Sequence, residues 1–152
     1  MGGGMALIDL TDLPKTGTLI GIDPGSKTLG IAASDGLRLI ASPVTTIQRS
    51  KLAKDLAALF ALYDERQAVG LVIGLPLNMD GSEGPRVQSA RALARNILKT
   101  RDVPIAMQDE RMSTAQATRA MLEADLSRAR RAQIIDASAA SVILQTALDR
   151  LA

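Results

Sequence analysis

The chain of 152 residues is long enough for one domain, and 47% of it is hydrophobic, almost entirely aliphatic because aromatic residues make up only 1%. Lys and Arg number 18 against 16 Asp and Glu, so the formal charge of +2 is mildly basic. The sequence contains no Cys and no His, which excludes disulfides, thiol catalysis, histidine acid–base chemistry and zinc sites built from these residues. Any catalysis must therefore use carboxylates, Lys, Arg, hydroxyls, backbone groups or hard metal ions.

The N-terminal residues carry no targeting signal that we recognise. Residues 1–6 lack the basic and apolar regions of a signal peptide, and no apolar run reaches the ~18 residues that a membrane span needs. We expect residues 1–16 to form a flexible leader and residues 17–152 to form a single domain. The absence of Cys suits a reducing compartment, so we expect a cytoplasmic protein with no membrane partner.

The first half of the domain is predicted to be an antiparallel meander followed by a helix. Residues 18–23 form an apolar run closed by Pro-Gly, which is typical of a buried strand, and residues 29–34 form a second strand. Asp35-Gly36 is a hairpin signal that leads into a third strand over residues 37–47. Apolar residues then recur at spacings of three and four, which predicts a helix over residues 51–66.

The second half is predicted to alternate strands and helices. Residues 69–74 are continuously apolar, as in a central parallel strand, and a helix starting near Pro85 leads to a fifth strand over residues 103–108. A capping box opens a helix over residues 113–124, and a last helix covers residues 131–151. The order predicts an α/β fold with a mixed five-stranded sheet, a three-strand antiparallel meander plus two parallel strands, and helices on both faces.

Acidic residues end two of the predicted strands. Asp23 closes the first strand, where it is either an Asx-turn residue or part of a site at the carboxyl end of the sheet. Asp109 and Glu110 end the fifth strand, where adjacent acids are often solvated surface residues. Because neighbouring side chains of a strand point to opposite faces, we expect at most one of these two to share a site with Asp23.

Asp136 lies on the last helix in line with apolar residues. At the helical period it shares one side with Ala140, Ile143, Ala147 and Leu151, the side that should face the sheet. An inward carboxylate costs several kcal/mol unless it is paired or bound to metal. The alternative is a first-turn Asp that the helix dipole favours, but the small residues beside it would allow close approach of the helix.

Three acids from separate segments predict a metal site. Asp23, Glu110 and Asp136 can converge on one point, and carboxylate oxygens are the ligands that Mg²⁺ or Mn²⁺ prefers. One or two such ions could activate water and stabilise the leaving oxygen of a phosphodiester, which requires no His and no Cys. We therefore expect a metal-dependent nuclease that uses these three residues as catalytic acids and metal ligands.

Several polar residues are candidates for substrate binding. The near absence of aromatic residues argues against base stacking, so recognition should depend on backbone charge and nucleic-acid shape. Each candidate also has an ordinary explanation as a turn, connector or solvated surface residue. The candidates lie beside Asp23, in the breaker-rich loop over residues 75–84, after Glu110 and before Asp136: Lys27, Asn78, Arg111, Ser113, Thr114, Arg128, Arg130 and Arg131.

Four stretches of the sequence resemble a known family. They are residues 21–35 (GIDPGSKTLGIAASD), 72–83 (VIGLPLNMDGSE), 109–114 (DERMST) and 135–144 (IDASAASVIL). With their order and spacing, they resemble the YqgF/RuvX family of pre-16S ribosomal RNA nucleases, which is related to Holliday junction resolvases. The resemblance covers nearly the whole domain, and Pro24 is a mild departure that touches no acid.

The resemblance implies a ribonuclease H-like fold and a role in maturing the ends of 16S ribosomal RNA. The catalytic acids of the family fall on Asp23, Glu110 and Asp136, the same three residues reached from the pattern of the sequence. The expected partners are structured RNA, with branched DNA as the alternative substrate, and a ribosomal precursor particle. Cleavage of four-way DNA junctions would use the same chemistry.

Two other functional classes share part of the pattern. GIDPG also looks like the first phosphate loop of actin-like ATPases and sugar kinases, but these need a second lobe and a second loop, for which 152 residues leave no room. The other alternative is a nucleic-acid-binding module without catalysis, as in related domains inside larger transcription factors. The presence of all three acids speaks against it.

Overall fold

Strands rich in apolar residues build one sheet in the computed structural model. The structure describes residues 8–25, 27–78, 80–109 and 128–152, except for the side chains of residues 128–138. The strands are β1 (Thr18–Pro24), β2 (Thr28–Ser34), β3 (Ala41–Gln48), β4 (Ala68–Leu75) and β5 (Ile105–Asp109). The helices of the described residues are α1 (Leu52–Glu65), α2 (Pro85–Thr100) and α3 (Arg128–Leu151), and a short 3-10 turn spans Leu10–Asp12. None of these helices is long and apolar enough to cross a membrane.

The strands lie in the order β3-β2-β1-β4-β5. β1 pairs antiparallel with β2, and β2 pairs antiparallel with β3, because these strands are joined by short turns. β1 pairs parallel with β4, and β4 pairs parallel with β5, because α1 and α2 make the crossover connections. The predicted mixed sheet of a meander plus two parallel strands is confirmed.

Helices cover both faces of the sheet. Ile20 and Ile22 of β1 belong to a core that also contains side chains of α1 and α2, among them the fully buried Leu59 and Ile97. Leu19 belongs to a second core that the sheet shares with α3. Because alternate residues of a strand point to opposite faces, the nearly continuous apolar run of β1 supplies both cores.

The third strand starts later than the sequence predicts. Residues 35–40 form a turn in which the Asp35 carboxylate accepts hydrogen bonds from the backbone of Leu39 at 2.8 Å and Ile40 at 2.9 Å. Arg38 adopts a positive φ of 60°, which regular extended strand residues do not have. The prediction that the strand begins at Leu37 was wrong, because the apolar side chains of this stretch do not enter the core, and Leu37 is 79% exposed.

Part of the expected leader packs on the domain. Leu10 and Leu13 are buried in the core under α3, and Ile8 forms a parallel bridge to Ala106 of β5. For residues 8–13 the expectation of a loose leader was therefore wrong, because this segment covers apolar surface at the β5 edge that would otherwise meet water. The predicted helix over residues 113–124 and its capping box lie outside the described residues.

Candidate catalytic site

Asp23 is a buried carboxylate at the carboxyl end of a central strand. It follows Ile22 in β1 and is only 1% exposed. Leu19 packs in the α3-side core, and a Cβ added at Gly21 would meet Leu144 of α3. Strand alternation therefore places Asp23 on the α3 face of the sheet, the face toward which Asp136 was predicted to point.

Glycines flank Asp23 on both neighbouring strands. Gly30 of β2 lies directly opposite Asp23 in the antiparallel register. On the other side Ile22 pairs with Ile73 of β4, so the next position along β4, beside Asp23, is Gly74. Neither neighbour therefore adds a side chain next to this carboxylate on the α3 face. The sequence did not point to these glycines, because the register between strands is not visible in it.

Helix α3 brings the Asp136 backbone to the same face. Ala140, Ile143 and Ala147 are fully buried, so the predicted inward side of this helix is confirmed from Ala140 onward. Asp136 lies one turn before Ala140 on that side. Its side chain, and those of Arg128, Arg130 and Arg131, lie outside the described side chains.

The end of β5 shows the face of Asp109, one of the two acids that the sequence left open. Ile105 and Met107 pack in the core on the α1 and α2 side, whereas Ala106 packs on the α3 side. By alternation Asp109 belongs to the face opposite Asp23, and Gln108 belongs to the face of Asp23. Glu110, together with Arg111, Ser113 and Thr114, lies outside the described residues. Asp109 therefore does not share the face of Asp23, and Glu110 stays a prediction for the shared site.

Asn78 and Lys27 occupy loops near the carboxyl ends of the parallel strands. Asn78 organises its own loop, because its amide nitrogen donates to the Ser82 hydroxyl at 3.0 Å and its backbone N–H donates to the Ser82 carbonyl at 3.0 Å. The Lys27 side chain is exposed, and its backbone carbonyl accepts a hydrogen bond from Arg49 at 2.9 Å. Lys27 therefore offers an exposed cation, whereas Asn78 is engaged in fixing the loop.

The comparison with known proteins decides the family. The profile of the RuvX family, described as Holliday junction resolvase, matches residues 17–150. The chain belongs to the RuvX family. A relative from Rhodobacter capsulatus, named "Putative pre-16S rRNA nuclease", is 60% identical over 92% of this chain and 88% of its own length. A relative of the same name from Phenylobacterium zucineum is 54% identical over 97% of this chain and 98% of its own length.

Solved structures place this RuvX-family chain in the ribonuclease H-like fold. Thermus thermophilus RuvC in complex with a Holliday junction substrate superposes with a TM-score of 0.54 at 16% identity, covering 84% of this chain and 91% of that one. A second structure of Thermus thermophilus RuvC gives a TM-score of 0.52 at 15% identity, covering 88% and 95%. The predicted fold is confirmed.

Gln108 is a buried polar residue that the sequence analysis missed. It pairs with Gly74 in β4, so Asp23, Gly74 and Gln108 form a row across the sheet, with Asp23 and Gln108 two strands and therefore about 10 Å apart. Gln108 is fully buried, and its side-chain oxygen accepts a hydrogen bond from Arg150 at 3.1 Å. Its amide nitrogen donates to the Asp109 carbonyl at 3.3 Å, which fixes the end of β5 just before Glu110. The sequence did contain a signal for this residue, namely a polar side chain at a strand position that points toward the core.

Proposed function

We propose that this RuvX-family chain is a metal-dependent nuclease that hydrolyses phosphodiester bonds in structured nucleic acid, with the 16S ribosomal RNA precursor as substrate. The observation that carries the proposal is the burial of Asp23 at the carboxyl end of β1, on the face that α3 covers and between two glycines. Open α/β sheets place their ligand sites at this edge. A structural role in a turn would leave the carboxylate closer to solvent.

Asp23, Glu110 and Asp136 are the residues that would hold the cation. A carboxylate as buried as that of Asp23 costs several kcal/mol unless charge or hydrogen bonds compensate it, and oxygen donors suit Mg²⁺ and Mn²⁺. Among the described side chains no group of three acidic residues forms a site, because two of the three proposed ligands lie outside that part of the chain. When bound, one or two of these ions supply activation of water and stabilisation of the leaving oxygen.

The protein contributes position and shape to this reaction. Gly30 and Gly74 add no side chain beside Asp23, and we propose that this is where a phosphodiester approaches the carboxylate. Gln108, held by Arg150, fixes the end of β5 immediately before Glu110. We propose that Lys27, Arg111, Arg128, Arg130 and Arg131 contact phosphates, and that Asn78, Ser113 and Thr114 contact the sugar or phosphate. These cations would offset the repulsion between the acids and a polyanion.

The names of the relatives favour RNA over DNA as substrate. Relatives that are 54 to 60% identical over most of this chain are named for a pre-16S ribosomal RNA nuclease activity. The description of the family and the junction-bound RuvC structure favour the second candidate, cleavage of four-way DNA junctions. We propose that the activity takes place in the cytoplasm, with a ribosomal precursor particle as partner, because an rRNA-processing nuclease fits this location.

A cleavage assay on both substrates tests the proposal. Purified protein is incubated with a 16S precursor fragment or a four-way DNA junction, with Mg²⁺, Mn²⁺ or a chelator. We expect cleavage of the RNA with either ion, none with the chelator, and a loss of at least a hundredfold in Asp23→Asn. Asp102→Asn removes a carboxylate from an exposed residue and serves as the matched control, with wild-type activity.

Each outcome of this assay has a distinct meaning. Cleavage of the junction alone would replace the RNA substrate by the DNA substrate. Undiminished cleavage by Asp23→Asn in pure protein would refute the catalytic role of this residue. Binding of RNA without cleavage under all conditions would support a binding module instead.

A further inference from the structure

A small cavity lies where the end of β1 meets the start of α2. Its volume is about 260 Å³, and it is lined by Pro24, Gly25, Pro85, Arg86 and Ser89. Cavities that bind whole small molecules usually measure ~300–1,000 Å³, so this one suits a small part of a larger ligand. It begins at Pro24, the residue that follows Asp23, and therefore lies at the same end of β1 as the proposed catalytic site but on the opposite face of the sheet.

Arg86 is an exposed cation with no role so far in the fold or in the proposed site. Its side chain is exposed, and in the described part of the chain it makes no ion pair or hydrogen bond. Arg91 on the same helix differs, because it binds both carboxylate oxygens of Glu83 at 3.0 Å. Ser89 lies three residues after Arg86, so both side chains project from one side of α2 into the cavity.

The chemistry of the lining matches a sugar–phosphate unit. A guanidinium group and a hydroxyl group are both hydrogen-bond donors, and Arg binds phosphate oxygens with two parallel hydrogen bonds. The rings of Pro24 and Pro85 provide apolar walls against which a ribose can pack. Among the described residues that line the cavity, none is acidic and would repel an anion.

We infer that this cavity binds one sugar–phosphate unit of the substrate strand, next to the phosphodiester that Asp23 addresses, and that Arg86 and Ser89 donate to its phosphate. The inference rests on the proposed nuclease function and adds to it a binding subsite. Asp23 and Pro24 are consecutive, with Cα atoms about 3.8 Å apart, but their side chains point to opposite faces of the sheet. A strand that occupies both positions bends around the end of β1, which selects flexible or distorted regions of structured nucleic acid.

Salt titrations of binding test this inference. Affinity for the 16S precursor fragment is measured in the Asp23→Asn background, which we expect not to cleave, for three further variants: Arg86→Ala, Ser89→Ala and Arg95→Ala. Arg95 is the matched control, because it is exposed on the same helix and lies nine residues after Arg86, on the opposite side. The three further substitutions alter exposed side chains, and urea unfolding curves of the variants are compared to verify folding.

We expect Arg86→Ala to weaken binding about tenfold and to reduce the slope of log affinity against log salt by roughly 0.7–0.9, as expected when one phosphate is no longer bound. Ser89→Ala should weaken binding several-fold without changing the slope, because it removes no charge. Arg95→Ala should keep both the affinity and the slope of the parent.

Three results would overturn the inference. A slope for Arg86→Ala that equals the slope of the Asp23→Asn parent, with wild-type protein binding and cleaving normally, would refute the subsite and leave the nuclease function intact. A slope that falls equally in Arg86→Ala and Arg95→Ala would indicate diffuse attraction by α2 instead of a subsite. Wild-type protein that neither binds nor cleaves the fragment or the four-way junction would refute the nuclease function, and the subsite with it.

Discussion

Gly21 lies directly beneath Leu144: a Cβ added to Gly21 would stand 2.8 Å from the Cβ of Leu144 and 3.1 Å from the backbone oxygen of Ala140. The α3 backbone thus rests on β1 two residues before Asp23 and one turn after Asp136. This close approach sets the separation between the two elements that carry these acids. Because the contact involves backbone and a Cβ, it cannot be relieved by a change of rotamer.

We predict that Gly21→Ala destabilises the fold by about 1–3 kcal/mol and reduces cleavage more than tenfold, because α3 must move away from β1 and take Asp136 with it. Urea unfolding and the cleavage assay measure the two effects. Gly36→Ala is the matched control, since a Cβ there has nothing within 4 Å. A Gly21→Ala protein as stable and active as the wild type would show that the helix spacing is not set here.

Metal binding by the acids predicts a change of stability that requires no substrate. We expect Mg²⁺ to raise the melting temperature of the wild type, because a ligand at a hundredfold excess over its dissociation constant stabilises the folded state by about 2.7 kcal/mol. Asp23→Asn should lose most of this increase. In the presence of a chelator it should melt at or above the wild-type temperature, because removing one of several like charges relieves their repulsion.

Thermal unfolding followed by circular dichroism measures this prediction, with Asp102→Asn as the control that keeps the full response to Mg²⁺. An identical response in wild type and Asp23→Asn would place the cation elsewhere. A large loss of stability in Asp23→Asn under chelation would instead indicate that the carboxylate serves the fold.

The ion pair between Asp64 and Arg101 predicts a pH dependence of stability. Arg101 donates to both Asp64 oxygens, at 2.7 and 2.9 Å, and its guanidinium lies 5.3 Å from the centre of the Phe60 ring. The hydrogen bond from Arg101 lowers the pKa of Asp64 below its ordinary value of 3.8. A lowered pKa means that the unfolded chain binds the proton more readily, so the stabilisation is complete above pH 3.8 and is lost as the pH falls through the lowered value.

Unfolding by urea across this pH range tests the pair. The difference in stability between wild type and Asp64→Asn should be constant at neutral pH and shrink below pH 3.8. In an Arg101→Gln background Asp64→Asn should have little effect at any pH, which completes a double-mutant cycle. A difference that does not vary with pH would mean that the pair contributes nothing through its charge.

Most strands of the sheet could be predicted from the sequence, because the periodicity of apolar residues is a local property. The runs that became β1, β2 and β4 and the stripe from Ala140 to Ala147 were predicted correctly, since burial and alternation follow directly from the pattern. The turn was predicted at Asp35-Gly36, but its extension to residue 40 was not, because the Asp35 carboxylate, not the apolar side chains, decides the backbone there.

The surroundings of the site could not be predicted because they depend on contacts between distant segments. Gln108 is buried next to Arg150, 42 residues later in the chain. Gly30 and Gly74 flank Asp23 only through strand register, and Arg86 reaches the end of β1 only through the packing of α2. Acids at strand ends mark a candidate site in the sequence, but the shape of that site is a tertiary property.

The arginines at the start of α3 predict a sequence-independent contribution to binding. Arg128, Arg130 and Arg131 lie within the first four residues of this helix and roughly two turns or less before Asp136. A polyanion that approaches the acids must be attracted by nearby cations. Replacing all three by Ala should weaken binding similarly for the RNA fragment and for an unrelated duplex, and should reduce the salt slope by roughly one unit for each phosphate that is no longer bound. Ala favours helix at least as well as Arg, so weaker binding would not reflect loss of α3.

A salt titration of the triple variant and of a charge-matched control measures this effect. Arg66, Arg95 and Lys99, exposed residues on or next to α1 and α2, supply the control when all three are replaced by Ala. We expect the slope to fall only in the α3 variant, because its three arginines belong to the helix that carries Asp136, whereas the three control residues do not. Equal slopes in the α3 variant and the wild type would mean that these arginines contact no phosphate. The path of the nucleic acid would then run over Lys27 and the cavity between β1 and α2, where Arg86 supplies a cation at the end of β1.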